Sequence, residues 1–206
     1  MSDGNVTVKG IVVAIDGPSG AGKSTVARQL AERLGYLYID TGAMFRAVAL
    51  TVQRAKVSLE DDAALATLCR DLEITFVRHE GAYRVFANGE DVSEAIRTPE
   101  ISLLTSRIST KKVVREVLLH EQRRMGRAGN VVLEGRDIGS VVFPHADVKF
   151  FLSASPAERG RRRFLELQAK GEKVTLEKTI AEVVARDAQD EQREHAPLRI
   201  ADDALC

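Results

Sequence analysis

Apolar residues fall along this chain in two rhythms, and the switches between them sketch the fold. Residues 11–15, Ile-Val-Val-Ala-Ile, form a short β-branched run with Gly and Pro directly behind it, which predicts a strand buried on both faces. Over 23–34 the period becomes helical, with Val26, Ala27, Leu30, Ala31 and Leu34 on one side and Gly35 placed as a stop. Residues 36–39 read as a second strand and 43–54 and 61–72 as helices, so the opening alternates as an α/β domain with a parallel sheet does.

The pattern changes between 73 and 92. Runs 74–77 and 83–87 are rich in β-formers and join through His79, Glu80 and Gly81, while Asn88-Gly89 signals a tight hairpin before a third short run. A small antiparallel meander therefore interrupts the α/β chain. Beyond it, 111–127 reads as helical, 131–133 and 148–152 as buried strands, and 156–169 and 176–193 as long charged helices.

Composition narrows the class. The chain has 206 residues, enough for one well-buried core, and no apolar run approaches a membrane span. The first ten residues show neither a secretory signal nor a transit peptide, so a cytoplasmic setting is expected. Cys69 and Cys206 stand far apart without a CxxC pattern, which argues against a disulfide framework or zinc site. Net charge is zero, so binding to polymeric nucleic acid is not expected. Among the basic residues, 21 are Arg and 9 are Lys, and arginine is the side chain whose planar fork matches phosphate oxygens two at a time.

Gly17, Pro18, Ser19, Gly20, Ala21, Gly22, Lys23 and Ser24 match G-x-x-x-x-G-K-[ST], between a predicted strand and a predicted helix as that motif requires. Backbone N–H groups of such a loop turn onto phosphate oxygens, and the helix N-terminus adds partial positive charge. Lys23 reaches the outer phosphates and the Ser24 hydroxyl can ligate Mg²⁺. These residues and Thr25 are the expected ATP contacts. Val131-Val132-Leu133-Glu134 resembles the second NTPase signature, an apolar strand ending in a carboxylate; Asp40 is a second acid at a strand end. Either could hold Mg²⁺ through water, and the sequence does not choose between them.

A phosphate loop alone leaves the reaction open. The runs Ile15 to Ser24, Asp40-Thr41-Gly42-Ala43-Met44-Phe45-Arg46, Glu134-Gly135-Arg136-Asp137 and Arg186-Asp187 onward to Pro197 together resemble the bacterial cytidylate kinase family. That resemblance implies a three-layer α/β P-loop NTPase core with a parallel sheet over 1–72 and 101–206, a helical lid near 155–172, and a small antiparallel β insert over 73–100 in the monophosphate-binding region. It also implies phosphoryl transfer from ATP to CMP or dCMP with Mg²⁺, by a monomer.

Carried over by motif, Lys23, Arg136, Arg159 and Arg163 resemble the catalytic cations. Arg46, Arg136 and Arg193 resemble the grips on the acceptor phosphate, Ser106, Arg115 and Asp137 the base readers, and Arg186 and Asp190 the holders of the pentose, with Thr41 among the acceptor contacts. Cytosine offers an amine beside two acceptors, which a carboxylate and an arginine can read and which uracil cannot match. From the residues alone, Arg186, Asp190 and Arg193 also fit an exposed ion-pair ladder. Arg136-Asp137 also fits a local pair, and Arg159, Arg161, Arg162 and Arg163 a solvated helix face.

The chain departs from the family's pattern at Phe45, usually tyrosine, and at Gln189, an arginine in some members. The family also continues past Asp202-Asp203-Ala204-Leu205 into a final strand and helix. A kinase for UMP, AMP or a small metabolite is the alternative within the enzyme class. A P-loop switch or transport ATPase would carry an N-K-x-D or an L-S-G-G-Q-like motif, and neither is present. A structural nucleotide-binding module is the remaining reading, and it would bind nucleotide without a phosphoryl acceptor.

Overall fold

The computed structural model describes residues 10–79 and 81–206. The first nine residues, read above as free of a leader, and Glu80, read as part of a hairpin joint, lie outside the described residues. The core is a parallel sheet of β1 (Val12–Asp16), β2 (Leu37–Asp40), β6 (Val131–Gly135) and β7 (Val148–Phe151) in the order β2-β6-β1-β7. Beyond β7 the chain end adds a parallel bridge, Phe150 to Leu205. Every residue of β1 and β6 is buried, as a two-faced sheet demands.

Alternation along the strands sorts side chains onto two faces. Val13, Ile15, Tyr38 and Val132 meet Ala27 and Ala31 of α1 (Lys23–Leu34). Val12, Ala14, Ile39, Val131 and Leu133 face the opposite layer. That layer holds α2 (Thr41–Ala55), α3 (Asp62–Asp71), α4 (Pro99–Ile108) and α5 (Lys112–Gly126). Cys69 lies in this core, where burial pushes its thiol up to about 11.

Strands β3 (Ile74–His79), β4 (Ala82–Ala87) and β5 (Glu90–Asp91) form the antiparallel insert. The Asn88-Gly89 turn has positive φ at both central residues, 48° and 81°, the geometry that matches the twist of a two-residue hairpin. Ile74, Val85, Ala87 and Val92 pack into the same apolar cluster as α2 and α3.

One helix escapes the sequence reading. In α4, Thr98 caps the Ile101 N–H at 3.2 Å, Pro99 stands in the first turn, and Ile101, Thr105 and Ile108 are buried. The cap and first-turn proline are legible signals for its start, but the apolar stripe is short and interrupted by Thr105.

The charged helices α6 (Pro156–Ala169) and α7 (Leu176–Gln192) form a packed pair. They approach so closely that a Cβ on Gly160 would lie 2.5 Å from Ile180 Cγ1 and 2.9 Å from its Cα. Elsewhere in a helix, Gly→Ala gains roughly 1 kcal/mol of helix propensity. Here Gly160→Ala is expected to reverse the sign and lower stability by about 1 kcal/mol, because overpacking of a tight contact costs roughly 1–3 kcal/mol. Urea unfolding checks it; a rise in the midpoint would contradict the close packing.

Candidate active site

The phosphate loop follows β1 and ends in α1. Gly17 has φ +145°, and a Cβ there would sit 2.0 Å from the Leu152 carbonyl, so only glycine lets the loop pass beneath the end of β7. No side chain caps α1, whose Ncap, Gly22, is left-handed. The Thr25 N–H turns back to the Gly22 carbonyl at 3.1 Å, which leaves the Lys23 and Ser24 N–H groups to meet an anion. Lys23 is 6% exposed, its Nζ 2.8 Å from the Pro18 carbonyl. Burial first, then Arg136, pushes its ammonium well below the ordinary lysine value, with Glu134, Asp16 and Asp40 opposing.

Beside this cradle the sheet brings two acids together. Asp40 and Glu134 are register partners at the ends of β2 and β6. Burial and then Asp40 raise the Glu134 carboxyl, while Lys23, the Tyr38 phenol and the Ser24 hydroxyl favour its charged form. Tyr38 donates to Glu134 Oε1, and Asp40 Oδ1 caps α2 by accepting from Ala43 N at 2.8 Å. Among the described residues no group of three His, Cys, Asp or Glu gathers. Ser24 with two adjacent carboxylates is a donor set that suits Mg²⁺, which keeps several waters and takes the rest of its ligands from phosphates.

On the other side of Lys23 lies a concentration of arginines. Arg136, after β6, donates from Nε to Asp190 Oδ2 at 2.9 Å. Arg193 contacts Asp190 and Asp137 at 3.5 and 3.7 Å and donates to the Ala196 carbonyl, yet its buried Nη2 has no hydrogen-bond partner. Arg115, on α5, donates to Asp137 Oδ2 and to the Ser109 carbonyl, with its guanidinium 5.4 Å above the Phe45 ring. Burial, then Arg136, lowers Arg186 to about 10, with Arg46 and Arg163 contributing. Burial, then Arg115, lowers Arg193 to about 10 as well. For Asp190 burial works the other way, but Arg136, Arg193 and Arg186 outweigh it and hold the carboxyl below its usual range. Four guanidiniums, those of Arg115, Arg136, Arg186 and Arg193, thus share two carboxylates, Asp137 and Asp190.

The remaining sequence-derived residues take distinct places. Thr41 is buried and donates to the Glu134 carbonyl at 2.7 Å, which fixes the turn out of β6. Ser106 on α4 bonds Gln189 on α7. Arg159, 3% exposed, spends its guanidinium on protein: a two-pronged pair with Asp187, plus the Ala154 and Ser19 carbonyls. It ties the loop to α7. Arg163 is more open, 3.4 Å from Glu166, and its field reaches Arg186. Arg162 leans over the loop toward the Gly20 carbonyl at 3.4 Å.

Two organising residues went unread in the sequence. Asp16, the last residue of β1, accepts from Ile138 N at 2.8 Å and Gly139 N at 2.7 Å, and so anchors the π-helical turn Ile138–Val142 immediately behind Arg136 and Asp137. Tyr38 orients Glu134. Asp16 sits inside the Ile15-to-Gly17 motif, but nothing local distinguishes a ligand there from a strut. Tyr38 looks like any core aromatic of a short strand.

A phosphate loop on a parallel sheet, with a cluster of arginines whose field reaches its lysine, is the arrangement of a P-loop nucleotide-binding transferase of the kinase class. The profile of the cytidylate kinase family matches residues 13–206. The chain is 68% identical to the cytidylate kinase of Geobacter sulfurreducens over 96% of its own length and 84% of that protein. It is 66% identical to that of Geobacter sp. strain M21, over 97% and 86%, and 62% identical to that of Syntrophotalea carbinolica, over 95% and 83%. The chain belongs to the cytidylate kinase family.

Burial raises Asp16 to about 6, ahead of the lowering effect of the Gly139 and Ile138 amides. A carboxyl with a folded value above its unfolded one stabilises fully below the unfolded value, near 3.8, and that contribution is lost as pH rises through about 6. The shift is worth about 3 kcal/mol at most. Denaturant unfolding between pH 4 and 7 should show stability falling with pH from this group, and Asp16→Asn should lose that slope. An unchanged slope would contradict the burial argument.

Proposed function

We propose that the protein transfers the γ-phosphoryl group of ATP to CMP or dCMP. The observation that carries the reading is the position of Arg136, close enough to depress Lys23 in the cradle on one side and paired with Asp190 among the other arginines on the opposite side. One guanidinium thus acts on both the phosphate-loop lysine and the arginine cluster, which supports a triphosphate site and a second anion site sharing it.

The transfer needs an acceptor phosphate oxygen held in line with the γ-phosphorus, which is mainly a matter of positioning and charge stabilisation. Arg46, Arg136 and Arg193 would grip the acceptor phosphate and offset the repulsion between the two anions. Lys23 and the α1 N–H groups would hold the donor phosphates. Mg²⁺ would be met by Ser24, with Asp40 and Glu134 reaching it through water, and would neutralise charge on the β and γ oxygens. Arg186 and Asp190, which belong to the same charge network, would suit the pentose. Asp137 and Arg115 present an acceptor and donors side by side, the complement of cytosine's amine and acceptors. Arg163, the more open of the two assigned arginines on α6, would approach the transferring group as α6 and α7 close and exclude water. The reading needs no residue from a second copy and takes the enzyme to act as a monomer.

A coupled assay with ATP, Mg²⁺ and CMP, dCMP, UMP or AMP tests the reading. Turnover should be confined largely to the two cytosine nucleotides; equal use of UMP or AMP, or none of the four, would overturn it. Arg136→Ala should lower kcat/KM for CMP by about 10²–10³-fold, the usual loss for one transition-state charge stabiliser, while ADP still binds by calorimetry. Unchanged turnover would remove Arg136 from the mechanism.

A further inference from the structure

Gln189 lies on α7 one turn before Arg193. It bonds α4 twice. Ser106 Oγ lies 2.5 Å from Gln189 Oε1, and Gln189 Nε2 lies 3.1 Å from the Ser106 carbonyl oxygen. The second contact settles the first. A backbone carbonyl can only accept, so the amide must present its NH₂ there, and its oxygen then faces the serine hydroxyl. That hydroxyl must donate to Gln189.

A hydroxyl has one hydrogen and two lone pairs. Once Gln189 takes the hydrogen, Ser106 has only acceptor capacity left for anything else. The serine belongs to the same network as the base-facing pair. Ser109 Oγ donates to the Ser106 carbonyl at 2.9 Å, Arg115 donates to the Ser109 carbonyl at 3.1 Å, and Arg115 also holds Asp137. Ser106 therefore cannot turn to serve a ligand without breaking the Gln189 contact.

We propose that Gln189 is a positioning residue for base selection: by fixing the Ser106 hydroxyl as an acceptor, it makes the pocket favour an exocyclic amine over a carbonyl at the same place. This rests on the functional reading above and extends it to a position the motif comparison marked only as a departure. A cytosine amine meets two acceptors, Ser106 and Asp137. Uracil's O4 meets the same two and pairs with neither. A freed serine hydroxyl would rotate and donate to O4, relieving part of that mismatch.

The test is the ratio of kcat/KM for CMP to that for UMP. Gln189→Leu should lower the ratio about tenfold, the effect of one mispaired neutral hydrogen bond, chiefly through better use of UMP. Gln189→Ala, made alongside as the smaller change, should do the same. Gln189→Glu, whose carboxylate still accepts from the hydroxyl, should return the ratio toward the wild-type value. In a Ser106→Ala background Gln189→Leu should have no further effect on the ratio. If both kcat/KM values fall together with the ratio unchanged, the glutamine only braces α4 against α7 and the proposal fails. The wild-type assay separates the two levels: no preference for CMP would sink the functional reading itself, whereas a preference that survives Gln189→Leu and Gln189→Ala would sink only this inference.

Discussion

Everything at this site follows from like charges that the fold holds together without enough counter-charge. Arg136 lies within the fields of Lys23, Arg186 and Arg193, and burial strengthens each repulsion by removing water. Asp137 and Asp190 offset part of it. A buried guanidinium whose Nη2 makes no hydrogen bond and only a 3.7 Å ion-pair contact with Asp137, as in Arg193, is costly to keep, and an arriving anion would offset that cost. The proposed pair of phosphate-bearing ligands would answer this imbalance, each gaining from the other's site being arranged around the same arginine.

The scaffold holds these charges through contacts that are themselves ordinary. β1 ends in Asp16, whose two oxygens take the two amides behind Asp137, so the strand that launches the phosphate loop also fixes the segment bearing Arg136. The registers of β1 and β2 on β6 place Asp16 beside Gly135 and Asp40 beside Glu134. Arg159 fastens the loop to α7, the helix that carries Arg186 and Asp190, through Ser19 and Asp187. Movement of α7 would thus be felt at the cradle through Arg159 as well as across the cleft through Arg136. Neutral net charge for the whole chain is compatible with this, because the imbalance is local.

Much of the fold was legible in the sequence because the strands are buried on both faces and the helices carry clear stripes. The hairpin was legible because Asn88-Gly89 demands two positive φ values. The missing helix, α4, shows the limit: ten residues with Thr105 in the buried stripe give little periodicity, and its existence depends on packing against α2. At the site, residue types announced the phosphate loop and, through resemblance, the arginines. What the sequence could not supply was the division of labour within a charged helix. Arg159 and Arg163 lie one turn apart on α6 with the same chemistry, yet one is bound on every side by protein and the other is open. Only the location of Asp187 and of the Ser19 carbonyl separates them. Tyr38 and Asp16 were unread for the same reason, since their partners are distant in the chain.

The central claim is that this arginine cluster is an acceptor-phosphate site facing the cradle. The most direct measurement is a crystal structure with CMP and a non-hydrolysable ATP analogue bound together. The CMP phosphate is expected among Arg46, Arg136 and Arg193, on the Lys23 side, with the γ-phosphate analogue across from it. A CMP phosphate lodged elsewhere, with those three arginines still held by Asp137, Asp190 and the Ala196 carbonyl, would contradict that claim.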